Sequence, residues 1–126
     1  MIKFLLDTNV FLWCFWDSER IKPIKGLINA KESDVYISMV SFWEISIKIR
    51  TGKLNIDIDK LRLFAQKYAF YELPITGDFF KAYLELPKLH KDPFDHMLIA
   101  QAITCPMHLI TSDSILADYS SLVMVI

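Results

Sequence analysis

Glycine and cysteine are scarce in this 126-residue chain, and no lysine or arginine follows Lys91. Three glycines and five prolines leave little material for flexible linkers, and low-complexity segments and internal repeats are absent. One compact domain over 1–126 is therefore expected. Hydrophobic residues make up 53% of the chain, enough for a single sizeable core. The two cysteines, Cys14 and Cys105, each lie in an apolar stretch. With no paired-cysteine motif for zinc, reduced and buried thiols are expected.

Long apolar runs are missing too. The longest, Val10 to Trp16, falls far short of the roughly 18 residues a spanning helix needs. The start, Met1-Ile2-Lys3-Phe4, has neither the apolar region nor the cleavage site of a signal peptide. A cytoplasmic protein without membrane contact is expected. Basic charge is concentrated instead, with nine of the fourteen Lys and Arg between Lys48 and Lys91. Such a segment is either a solvated helical face or a surface that meets phosphates.

Short apolar runs alternate with segments of helical periodicity. Strands are expected at Ile2–Leu6, Val35–Ser38, Tyr71–Leu73, His108–Thr111 and Leu122–Val125. Helices are expected from Asn9 to about Trp16 with Thr8 as cap, over Pro23–Lys31, and from Ser41 to about Thr51 with Gly52 as the stop. Others are expected from Asp57 or Asp59, over Asp78–Leu86, from Asp92-Pro93 through about Thr104, and briefly over Ser114–Tyr119. This order implies an α/β fold, with a central, mainly parallel sheet of about five strands and helices on both faces.

On that outline four acids fall at one edge. Asp7 ends the first strand, Glu44 and Asp95 stand in first turns of helices, and Asp113 follows the strand ending at Thr111. The carboxyl ends of parallel strands are where such sheets bind ligands. Each acid also has a structural explanation. Ser41-x-x-Glu44 fits a capping box, and Asp92 and Asp95 fit the cap and first turn of a helix. Asp7 resists that account, because an acid directly after a buried strand is costly unless it is paired, capping or cation-bound. Together, crowded carboxylates repel. A hard divalent cation such as Mg²⁺ or Mn²⁺ removes that penalty and can polarise a phosphodiester or activate water.

Other acid-bearing α/β folds fit less well. A response-regulator receiver needs a late lysine. A haloacid-dehalogenase-type phosphatase needs Asp-x-Asp-x-Thr where Asp7-Thr8-Asn9-Val10-Phe11 stands. A dinucleotide-binding fold needs a glycine-rich turn after the first strand.

The same residues resemble a known family. Asp7-Thr8-Asn9, Ser41-x-Trp43-Glu44-Ile45, Gly52-Lys53-Leu54, the run Leu86-Pro87…His90-Lys91-Asp92-Pro93-Phe94-Asp95-His96-Met97-Leu98-Ile99-Ala100-Gln101-Ala102, and Thr111-Ser112-Asp113 are similar, in order, to the motifs of PIN-domain toxins of the VapC type. The resemblance implies a PIN fold and a Mg²⁺- or Mn²⁺-dependent endoribonuclease acting on an RNA substrate. It also implies a homodimer and a cognate antitoxin that blocks the site. Carried over by position, Asp7, Glu44, Asp95 and Asp113 form the acidic site. Asp7 and Asp95 are the direct metal ligands, and Glu44 and Asp113 hold waters or a second ion. Thr8, Asn9 and Thr111 supply supporting hydrogen bonds, and Asp92 is a cap. The alternative is a catalytically silent PIN-fold module that binds RNA or protein.

The chain departs from the pattern at His96, where Arg is frequent, and at Asn9, where His is common. His96 is expected to be a packed or surface imidazole, and His90 and Lys91 either a solvated loop or RNA contacts. Trp43 is expected in the core. Trp13, Phe15 and Trp16 exceed what one face of a short helix buries, so part of that set is expected at the surface, as a dimer seam or antitoxin groove.

Overall fold

A computed structural model describes residues 1–126. Five strands form one sheet: β1 (Ile2–Leu6), β2 (Ser33–Ser38), β3 (Tyr71–Leu73), β4 (His108–Thr111) and β5 (Val123–Val125). Every ladder is parallel and the order is β3-β2-β1-β4-β5. Six α-helices connect them: α1 (Thr8–Phe15), α2 (Lys25–Asn29), α3 (Met39–Arg50), α4 (Ile58–Lys67), α5 (Asp78–Glu85) and α6 (Pro93–Thr104). The α/β architecture with a parallel sheet is the one expected from the alternation of strand and helix patterns.

The central strand explains the two-sided core. Successive side chains of a strand point to opposite faces. Phe4 and Leu6 enter one cluster with Val10, Phe11, Phe42, Ile45, Leu61 and Ala65, from α1, α3 and α4. Leu5 enters the other with Phe79, Leu98, Ile99 and Ala102, from α5 and α6. A run of apolar residues without alternation is therefore the signature of a strand covered on both faces.

Local details differ from the expectations where side-chain capping decides the boundary. Helix α1 is capped by Asp7, one residue before Thr8. Helix α3 begins at Met39, capped by Ser38, whose hydroxyl accepts from the Val40 N–H at 3.1 Å. Ser41 is thus inside the helix and forms no capping box, and Glu44 stands in the second turn. The expected helix over Pro23–Lys31 is a 3₁₀ segment, Glu19–Ile24, followed by the single-turn α2. Ser114–Asp118 is likewise 3₁₀. Gly52 does stop α3, at a φ of +78° that glycine adopts at little cost.

Trp43 is 59% exposed and not in the core. The buried stripe of α3 is Val40, Ser41, Phe42 and Ile45, and at about 100° per residue position 43 falls on the opposite side. There it packs edge-on against Phe94 with ring centroids 5.2 Å apart, beside an apolar cavity of about 370 Å³ lined by Val40, Phe80, Tyr83 and Met97. On α1 the surplus of aromatics divides as expected. Trp16 is half exposed, and Phe15 lines a second groove of about 320 Å³ with Ile21, Ile28, Phe64 and Tyr68. Both cysteines are free and partly buried, and burial pushes the Cys14 thiol up to about 11. No helix is long and apolar enough to cross a membrane.

Candidate active site

The strand order sets where a ligand is expected to lie. From β1 the chain winds outward to β2 and β3, then returns to place β4 on the other side of β1. The crevice at the carboxyl ends of β1 and β4 is this sheet's switch point. Asp7 occupies it. Its backbone N–H donates to the Ile110 carbonyl of β4 at 2.9 Å, and its own carbonyl accepts the first helical bond of α1 from Phe11. The carboxylate is only 8% exposed. One oxygen, Oδ1, accepts from the Thr8 N–H at 2.6 Å. The other, Oδ2, accepts from the Thr111 hydroxyl at 2.6 Å. Burial raises the Asp7 pKa above the ordinary carboxylate range. The bonds from Thr111 and Thr8 oppose that rise, while the charges of Glu44 and Asp92 add to it.

Asp95 comes from the start of α6. Asp92 caps that helix, accepting from the N–H groups of Phe94 at 2.9 Å and Asp95 at 3.2 Å, with Pro93 in the first turn. The Asp95 carboxyl is pushed up to about 7, first by burial, then by the charges of Asp7 and Asp92. A hydrogen bond from His90 works against the rise. Asp7, Asp92 and Asp95 are therefore close enough to feel one another's charge.

Glu44 reaches the same edge from α3, but by a different attachment. Its Oε1 is 2.7 Å from the Thr8 hydroxyl. A carboxylate only accepts, so Thr8 donates to Glu44. The Ser41 hydroxyl, 2.9 Å from Thr8 Oγ1, then donates to Thr8. Glu44 Oε2 is paired with Lys48, one helical turn on, at 3.2 Å. Asp113 lies farther out. It is exposed, and its Oδ1 caps the following 3₁₀ turn by accepting from the Ile115 N–H at 3.1 Å. It is tied inward only through its backbone N–H, which donates to Thr111 Oγ1.

The expected supporting residues separate in the same way. Thr8 and Thr111 are fully buried bridges between acids. Asn9 is exposed, and no hydrogen bond joins it to any of the acids. Asp92, expected only as a cap, does cap α6 and also adds its charge to Asp7 and Asp95. Its position three residues before Asp95 was the one available signal. Tyr119 was not expected at all. Its hydroxyl meets His90 and His96 beside Asp95, a contact between β4–β5 connection and α6 that no spacing in the sequence announces.

The donor set suits a hard cation. Its oxygen donors are carboxyls, and two of them, Asp7 and Asp95, carry raised pKa values from burial and neighbouring charge. That destabilisation is what a bound divalent ion relieves. No three His, Cys, Asp or Glu groups converge into a ready-made cage.

Comparison with known proteins agrees with this fold. The family profile of the PIN domain matches residues 4–122. The chain belongs to the PIN-domain family. Among solved structures, VapBC2 from Rickettsia felis bound to a promoter DNA fragment is similar in fold. Its TM-score is 0.75 at 15% identity, over 97% of this chain and 96% of that one. A toxin–antitoxin complex from Klebsiella pneumoniae gives a TM-score of 0.66 at 18% identity, over 95% and 94%. VapBC-5 from Mycobacterium tuberculosis gives 0.60 at 19% identity, over 100% and 98%. No curated protein sequence matches significantly. In this PIN domain the start of α1 and the end of β4 meet at Asp7, and α3 joins them through the Thr8–Glu44 hydrogen bond.

Proposed function

We propose that this PIN domain is a VapC-like toxin, an endoribonuclease that hydrolyses RNA phosphodiester bonds with Mg²⁺ or Mn²⁺ and is inhibited by a cognate antitoxin. The observation that carries the reading is the pairing of buried Asp7 with Asp95, both held above the ordinary carboxylate range at the switch point of the sheet. Asp7 and Asp95 hold the cation, with Glu44 and Asp113 holding its waters or a second ion. The bound cation supplies charge neutralisation and Lewis-acid polarisation of the phosphodiester. The protein's part is orientation. Thr111 and the Thr8 N–H fix both oxygens of Asp7, and Thr8 fixes Glu44. Lys48 and Lys53 line a shallow cleft of about 440 Å³ beside Glu44 and Asp92, where they offset the acidic site's repulsion of an RNA backbone. The two exposed apolar grooves supply surface for an antitoxin and for a second copy in a homodimer.

The test is cleavage of total RNA by the purified, antitoxin-free chain with Mg²⁺ or Mn²⁺. EDTA and an Asp7→Asn variant serve as controls. Discrete cuts lost in both controls are expected. Intact RNA from folded protein that binds the metal would favour a silent PIN-fold binding module instead.

A further inference from the structure

Outside the acid set, one polar cluster is tightly built. Four contacts converge on the Tyr119 hydroxyl. The N–H groups of Leu89 and His90 each lie 3.1 Å away, His90 Nδ1 lies at 2.7 Å and His96 Nε2 at 3.2 Å. The other nitrogen of His90, Nε2, is 3.0 Å from Asp95 Oδ2. The His90 ring is held in place edge-on to His96, with centroids 4.7 Å apart at 90°, and against Tyr119 at 5.4 Å.

Donor bookkeeping fixes the protons. A backbone N–H only donates, so the two amides occupy the acceptor capacity of the phenolic oxygen. Tyr119 has one proton to give. His90 Nδ1, at 2.7 Å, is the nearer of its two possible acceptors, and that length suits a strong bond. Nδ1 then carries no proton, and the neutral ring carries its proton on Nε2, facing Asp95. The donor–acceptor roles of a histidine are set by what its other nitrogen touches. The bond uses Asp95 Oδ2 and leaves Oδ1 free.

We propose that Tyr119 and His90 form a positioning relay, in which the tyrosine hydroxyl holds His90 in the tautomer whose Nε2–H donates to Asp95 and so aims that carboxylate. The consequence for metal binding rests on the function proposed above, while the tautomer itself does not. It also gives His90 a role other than a solvated loop residue.

The relay is tested on the full chain, free of metal, by long-range ¹H–¹⁵N spectra of the histidine rings at about pH 8.5, above ordinary imidazole titration. Wild-type His90 is expected as a single tautomer protonated on Nε2, and Tyr119→Phe, which keeps the ring contacts, is expected to lose that preference. An Nδ1–H or averaged His90 ring in the wild type would overturn the relay. Mn²⁺ affinity by calorimetry reads the consequence. Tyr119→Phe and His90→Ala are expected to weaken binding about tenfold or more, as loss of outer-shell support does. His90→Gln, which retains an N–H donor and leaves Tyr119 in place, is expected to recover part of it. Unchanged Mn²⁺ affinity in both Tyr119→Phe and His90→Ala would remove the positioning role. A wild-type chain that binds no Mn²⁺ would sink the metal reading, and the ring spectrum alone would then decide the relay. A chain that binds Mn²⁺ but cuts no RNA would sink the nuclease and leave the relay intact.

Discussion

The acidic edge has two unlike halves. Asp7 and Asp95 are enclosed, held by neutral donors from Thr8, Thr111 and His90, and raised in pKa by burial and by neighbouring carboxylates. Glu44 and Asp113 are served differently. Glu44 is paired with a lysine on its own helix, and Asp113 is exposed and occupied in capping a turn. The first half stores unfavourable charge that a cation relieves. The second half is already compensated without one. The difference teaches that four acids on one edge need not share one role, and that unfavourable charge is concentrated in Asp7 and Asp95.

Removing an enclosed acid gives the largest expected effect. Asp95→Asn is expected to lower cleavage by roughly a thousandfold or more, because it takes away charge where the cation and phosphate meet. Single-turnover cleavage of a mapped substrate measures it, and a loss under about tenfold would erase the distinction between the halves. Glu44→Gln is expected to cost about ten- to a hundredfold, the range of groups that act through another ligand or water. Asp113→Asn is expected to cost about tenfold or less by the same assay, since the amide oxygen can still cap the 3₁₀ turn. An Asp113 loss as large as that of Asp95 would show that the outer half moves inward when RNA binds.

A separate effect is on stability, and its sign distinguishes the enclosed pair. The Asp95 carboxyl titrates near about 7 in the folded chain, against about 3.9 when unfolded. Between those values the folded state binds the extra proton, so its stability is greatest at the acid end and falls as pH rises. Asp95→Asn removes that dependence. The variant is expected to gain on the wild type from about pH 4 to 7, by a few kcal/mol at most, given about 1.4 kcal/mol per pKa unit. Urea unfolding at several pH values measures it. A gap that stays constant with pH would mean that Asp95 is not strained in the free protein.

Much of this arrangement was legible in the linear chain. Unbroken apolar runs identified strands buried on both faces, and Asp92-Pro93 and Gly52 marked helix ends that the structure keeps. The PIN-family motifs marked the acids. Capping was harder to read. Asp7 and Ser38 took positions expected of Thr8 and Ser41, because several oxygen-bearing residues in a row compete for one cap, and the winner depends on which side chain the sheet leaves free. Trp43 was misplaced because it falls on the side of α3 opposite the buried stripe of Val40, Ser41, Phe42 and Ile45, and which side is packed is set by the sheet.

Local chemistry by itself determined the alternation of strands and helices and hence the parallel sheet, because periodicity and turn preferences act over a few residues. Only the tertiary structure decided which acids are raised in pKa, which is paired with a lysine and which is exposed, and that Tyr119 meets His90. Burial and long-range hydrogen bonds arise where the strand order brings distant segments together, and no short stretch of sequence carries that information.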